Sequence, residues 1–169
     1  MVRAVTTHPT YDQLIALPAY VEQPVPMPFE DINGHLNVRH YVGIASEGLD
    51  ESLVEVGIPQ MWPLTHQQAC FTAEHHVTYL NELRTGDTMS ARVRLLGRSD
   101  RAAHALVYLL DETEKEVACV VEEIFLHIDL DTRRTAPWPE EIATRMDARI
   151  AEHDALPFPA VTSGSLALR

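Results

Sequence analysis

Asp31-Ile-Asn-Gly-His35-Leu-Asn37-Val-Arg-His-Tyr41 sets a carboxylate and a glycine directly ahead of a stretch with helical spacing. From Asn37 onward, Val38, Tyr41, Val42, Ala45, Leu49, Leu53 and Val56 recur at three- and four-residue steps, one face of an amphipathic helix. Asn37 is the expected N-cap, and Gly57 the expected stop beyond the last turn. A helix start leaves backbone N–H groups unpaired and carries positive partial charge, so it suits an anion or a developing oxyanion. An aspartate beside such a site can attack an acyl carbon or activate a water. The same residues also read as a simple Asx turn at Asp31 and Asn33 followed by a capped helix.

Upstream, residues 1–23 read as an irregular lead-in. Pro24, Pro26 and Pro28 then allow only a short edge strand, because each removes a ladder donor. Downstream the period changes from helical to two. Phe71, Ala73, Val77 and Tyr79 alternate with Thr72, Glu74, His76 and Thr78, and Ala91, Val93 and Leu95 alternate with Arg92 and Arg94. Ala102–Leu110 is apolar on both faces, as a central strand would be, and Glu116–Asp129 is a long β-branched run. Pro139 with Glu140 and Glu141 opens a second helix expected to reach about His153. Consecutive strands joined by short turns make an antiparallel meander. The expected fold is therefore α+β, a meander sheet against one long helix, in a single domain over 24–155 with a loose tail at 156–169.

The 169 residues carry a formal charge of −12, which disfavours nucleic acid as a partner. No apolar run approaches the ~20 residues of a membrane span, and no apolar leader is present. Cys70 and Cys119 sit in apolar runs without ligand spacing, which points to a reducing, cytoplasmic setting. The charge is uneven: between Glu82 and Arg101 lie five arginines and three acids, a candidate phosphate dock on a basic strand face. His75 and His76 fall on opposite faces of a strand, so no metal is expected at them. No G-x-S-x-G elbow is present.

The motif D-x-x-G-H-x-N-x-x-x-Y leading into a long helix resembles the signature of hot-dog-fold acyl-CoA thioesterases of the 4-hydroxybenzoyl-CoA thioesterase type. The likeness continues through His76-Val-Thr-Tyr79-Leu, Leu83-Arg-Thr-Gly86-Asp87, Leu126-His127-Ile-Asp129 and Pro137-Trp-Pro139, covering about residues 24–142. It implies a meander wrapped around a central helix, a homodimer or dimer of dimers with active sites at the interface, an acyl-CoA substrate and no cofactor. Carried over, Asp31 is the nucleophile or general base, to be sharpened by partial desolvation. The Val38 backbone N–H is the oxyanion donor, Gly34 allows close backbone approach, and His35, Asn37 and Tyr41 order the loop. Many members read G-H-x-N-N where Val38 stands here, so a backbone donor survives but an amide side chain does not.

D-I-N-G-H-x-N-V with A-E-H-H-V-T-Y-L-N-E is also similar to the betainyl-CoA thioesterases of carnitine breakdown. Those carry a D-A-K-R-x-H segment where this chain has Ser99-Asp100-Arg101-Ala-Ala-His104. Glu74 and Glu122 match acidic positions of that branch, and Glu122, in phase with Val120 and Ile124, is expected buried or facing a cleft. The substrate-contacting candidates are Gly34, Glu74, His76, Glu122, Arg94, Arg101 and His104. Hydratases of the same fold use D-x-N-P-x-H, whereas here Gly34 follows Asn33 and His35 arrives one residue early. A non-catalytic acyl-CoA-binding module is the alternative to a thioesterase.

Overall fold

The computed structural model describes residues 7–168. The elements run α1 (Tyr11–Leu14), β1 (Tyr20–Pro24), a 3-10 turn (Met27–Phe29), α2 (Val38–Val54), α3 (Trp62–Thr65), β2 (Gln68–Tyr79), β3 (Thr88–Arg98), β4 (Ala102–Asp111), β5 (Glu116–Asp129), β6 (Arg134–Thr135) and α4 (Glu140–Asp154). Within the stretch read as an irregular lead-in, the chain makes the α1 turn, and β1 starts at Tyr20; the first six residues lie outside the described range.

The strands form one antiparallel sheet in the order β1-β3-β4-β5-β2, with β6 added to β5. β4 is central, in agreement with its apolar residues on both faces. Among the described residues β2 is a free edge, its register with β5 shifted by a bulge between Thr72 and Glu74. Lys115, the only lysine, sits exposed in the turn between β4 and β5 with φ 58°.

Helix α2 lies against the inner face of this curled sheet. Its buried stripe Tyr41, Ile44, Ala45, Leu49 and Leu53 packs on Ala91, Val93, Val107, Val121 and Phe125, which form the main core. The Asn37 cap is formed, its Oδ1 accepting from Arg39 N–H at 3.1 Å. Gly57 follows with φ +95°, a left-handed turn that an L side chain would strain. Gly48 brings helix and sheet into contact, because a Cβ there would collide with Ala91 Cβ.

The outer face of the sheet carries a second apolar cluster. Leu14 and Leu17 from the N-terminal segment and Phe158 from the C-terminal segment cover Leu106, Tyr108, Leu110 and Val120. The tail is thus packed where the sequence suggested looseness. Together with the N-terminal segment it covers Arg92 and Arg94 of the basic strand face, which is therefore not open there as a phosphate dock. Arg92 donates to Leu17 O at 2.7 Å and Glu112 Oε1 at 2.7 Å, while Arg94 donates to Phe158 O at 2.9 Å and lies over its ring.

Candidate active site

Between the 3-10 turn and α2 the chain makes a tight loop that is fixed chiefly by Asp31. Asp31 N–H donates to His35 O at 2.8 Å, and Gly34 N–H donates to Asp31 O at 3.1 Å. Gly34 has φ +82°, which makes the reversal possible without strain. The Asp31 carboxylate accepts from Asn33 N–H at 2.7 Å, Asn33 Nδ2 at 3.3 Å and His35 N–H at 3.3 Å. These bonds, the Asn33 backbone N–H foremost, hold its pKa below the ordinary aspartate value. The Asx turn and the chemical reading of this loop are therefore compatible, since the turn leaves the carboxylate partly exposed and ionised.

The loop is tied to the 3-10 turn before it and to the connection between β2 and β3. Leu36 N–H donates to Leu83 O at 2.7 Å, and Asn37 N–H donates to Phe29 O at 2.8 Å. His35 Nε2 stands 2.8 Å from Glu82 Oε2, and the His40 ring stacks on Phe29 at 3.9 Å. Asn37 supplies its Oδ1 to Arg39 N–H and its carbonyl to His40 N–H. That leaves the Val38 N–H, at the positive end of α2, without an acceptor among the described residues. Asp31, His35, Val38, Tyr41, Tyr79 and Glu82 line one open cleft of about 350 Å³. Tyr41 and Tyr79 meet edge to face across its floor at 5.1 Å.

The catalytic candidates Asp31, His35, Asn37, Val38 and Tyr41, with Gly34, are thus brought together. The remaining candidates are not. Arg94 (4% exposed), His104 and Glu122 lie on the outer face of the sheet, opposite α2. There His104 Nε2 meets Glu122 Oε1 at 2.8 Å, and Glu122 Oε2 accepts the tail's Ser163 N–H at 2.7 Å. His76 joins Glu122 in a small cavity of about 60 Å³ under the same tail. Arg101 is exposed and donates to Thr135 O at 3.0 Å; Glu74 is exposed on the free edge strand. Burial of Glu122 was legible from its phase, but its partners come from the tail and β4 and not from a ligand cleft.

A second concavity at the far end of α2 was not anticipated. Glu47, Asp50, Glu51, Trp62 and Cys70 help to line about 370 Å³ there. Asp50, Leu53 and Cys70 continue into a recess of about 110 Å³ closed by Thr72, Glu123 and Phe125. Burial raises the Asp50 carboxyl above its ordinary pKa, with the Glu123 and Glu47 charges adding to it, and burial pushes the Cys70 thiol up to about 12. Glu123 escaped the sequence reading because it follows Glu122. Successive residues of a strand face opposite ways, so one glutamate of the pair had to point inward.

A family model described as the thioesterase-like superfamily matches residues 25–146. A betainyl-CoA thioesterase of Pseudomonas aeruginosa is 30% identical over 138 residues, which span 82% of this chain and 87% of that protein. Among solved structures, a Staphylococcus aureus protein in complex with CoA superposes with a TM-score of 0.74 at 24% identity, covering 86% of this chain and 89% of that one. A 1,4-dihydroxy-2-naphthoyl-CoA thioesterase from Synechocystis does so with a TM-score of 0.67 at 14% identity, covering 80% and 96%. Both share the fold: a curled antiparallel sheet around one long helix.

Proposed function

Because this chain belongs to the thioesterase-like superfamily, we infer that it hydrolyses an acyl-CoA thioester at the Asp31 cleft, releasing the free acid and CoA. The observation that carries the reading is the pairing, on one cleft, of an ionised carboxylate with the unpaired N–H at the start of α2.

The thioester carbonyl oxygen accepts the Val38 N–H, and the α2 dipole stabilises the negative charge that grows on that oxygen as the acyl carbon becomes tetrahedral. Asp31 then acts in one of two ways. It attacks the acyl carbon, expelling the CoA thiolate and leaving an anhydride that water opens, or it takes a proton from a water that attacks instead. His35, Asn37 and Tyr41 hold the loop and floor in place. In a single chain the hydrogen bonds to Asp31 outweigh its partial desolvation and make it a weaker base than a free aspartate, so sharpening it takes further desolvation. A second copy covering the cleft would supply it.

A homodimer fits that need. Among the described residues β2 ends the sheet with an unpaired edge, and Phe71, Tyr79 and Leu80 are large exposed apolar residues on or beside it. No helix among the described residues is long and apolar enough to cross a membrane. The free thiols of Cys70 and Cys119 suit a reducing cytoplasm. The name of the Pseudomonas relative makes betainyl-CoA the first thioester to try.

The test is free-thiol release from short aliphatic, aromatic, long-chain and betainyl CoA thioesters, with wild type beside Asp31→Asn. Hydrolysis by wild type should fall by roughly 10²- to 10⁴-fold in the variant. Asparagine keeps the oxygen that accepts from Asn33 and His35, so the loop itself should survive. Saturable CoA-thioester binding by wild type without any thiol release would instead identify a binding module.

A further inference from the structure

We infer that Glu123 and Asp50 are the carboxylates that select a positively charged acyl group, acting on the thioester held at the Asp31 cleft of a second copy of this chain. This rests on the thioesterase reading above and adds the residues that set its specificity.

Glu123 is 1% exposed on the inner face of β5, in line with Val121 and Phe125. Thr72 Oγ1 donates to its Oε1 at 2.6 Å, but its Oε2 is buried without a hydrogen bond. The nearest positive partner is a titratable one, His75 Nε2 at 3.2 Å. A buried carboxylate oxygen left in this state is costly unless a cation meets it. Asp50 faces the same recess from α2, and the two charges disfavour each other. Among the described residues neither arginine nor lysine lines the recess or the larger concavity beside it, although Glu47 and Glu51 add further acids. His75 apart, a permanent counter-charge for Glu123 and Asp50 would come from outside the chain. A small alkylammonium group matches the volume, and the apolar walls Leu49, Leu53 and Phe125 suit its methyl groups.

Asp50 lies twelve residues beyond Val38 on α2, about 18 Å along the helix axis. No short acyl group spans that distance within one chain. Antiparallel pairing of β2 with its own copy solves the geometry, because a two-fold axis sets the Tyr79 end of one strand beside the Cys70 end of the other. Tyr79 lines the Asp31 cleft and Cys70 lines the acidic recess, so each cleft then opens on the partner copy's recess.

The decisive comparison is betainyl-CoA against 3,3-dimethylbutanoyl-CoA, which replaces the quaternary nitrogen by carbon at the same shape. Wild type should prefer the cation in kcat/KM. Glu123→Gln and Asp50→Asn should each lower that preference by roughly 10- to 100-fold. Glutamine keeps an acceptor for Thr72, and Asp50 is solvent-accessible in the single chain, so at least the second variant should fold normally. Mixing Asp31→Asn with Glu123→Gln protein under subunit exchange should restore the cation preference, because one site of each mixed dimer is then wild type. A wild type indifferent to the charge, or a preference untouched by both variants, overturns the assignment, and failure of the mixture to recover the preference overturns the contribution from the second copy. Wild-type silence on every CoA thioester overturns the thioesterase reading instead. The recess is then judged by calorimetry with tetramethylammonium, whose binding should vanish in Glu123→Gln and whose failure to bind wild type overturns the cation assignment.

Discussion

Replacing Phe158 with alanine should detach the C-terminal tail and destabilise the protein without slowing the chemistry. The Phe158 side chain is 4% exposed in the outer cluster with Leu14, Leu17, Tyr108 and Leu110. Burying ~150 Å² of phenyl surface at ~25 cal/mol per Å² contributes about 4 kcal/mol. Chain freedom regained by the released tail offsets part of this, so a net loss of about 2–3 kcal/mol is expected. The guanidinium of Arg94 makes the loss harder to absorb. It would lose both the Phe158 ring and the Phe158 carbonyl while its Nε is already without a partner. Urea denaturation followed by circular dichroism measures the loss, and limited proteolysis should clip the variant beyond α4 first. A loss below about 1 kcal/mol with an uncut tail would refute the argument that these residues hold the tail down. Thiol release below the melting range should match wild type, because the Asp31 cleft lies on the other face of the sheet. A rise in KM for CoA thioesters would return Arg94 to the substrate.

Three further outcomes follow from named contacts. The Asn33 backbone N–H starts the Asp31 carboxyl below its ordinary pKa, so even with the partial desolvation a second copy adds, kcat/KM should show no acid limb from this group between about pH 5 and 8; an acid limb near pH 6 that disappears in Asp31→Asn would contradict it. His153 is 5% exposed, its Nδ1 accepts from Leu95 N–H at 2.9 Å, and burial lowers its pKa from 6.5 to about 4. The folded state thus favours the neutral ring, and the stability this confers is complete above pH 6.5 and lost as pH falls toward 4. About 2 kcal/mol should go between pH 7.5 and 5, and His153→Gln should flatten that slope in urea titrations. Gly48→Ala gains about 1 kcal/mol of helix propensity, but its Cβ meets Ala91 Cβ, so a net loss of roughly 1–3 kcal/mol should appear as a lower melting temperature.

The long helix and the four long strands were legible because each buries one face and so prints its period on the chain. Val38 to Leu53 shows it at three- and four-residue steps, and Ala91 to Leu95 at two. The Asp31 loop was legible as a candidate site because the proposed chemistry needs particular residue types within a few positions. Elsewhere the deciding partner lay far along the chain. Alternation gave Arg92 and Arg94 a common face, but whether that face was wet depended on Leu17 and Phe158. Phe158 itself is a lone aromatic between Pro157 and Pro159, with no period to announce its burial. The prolines announced a short edge strand, which β1 is, but its start at Tyr20 was obscured by Val21, whose φ of 52° breaks the extended pattern. Glu123 was hidden by its neighbour, since adjacent glutamates look alike until the two faces of β5 are distinguished.

Lys115 bears on how such a protein withstands its own substrate. A CoA thioester is an acyl donor to any deprotonated amine, and free lysine side chains are modified by it without a catalyst. Arginine stays protonated and does not react in this way at neutral pH. With every other side-chain cation an arginine, the chain presents one acylatable lysine, on a turn at the end of β4 and outside the residues lining the Asp31 cleft. Prolonged exposure to reactive thioesters should therefore leave at most a single lysine adduct per chain, located at Lys115 by peptide mapping, and the arginine contacts of the fold unchanged.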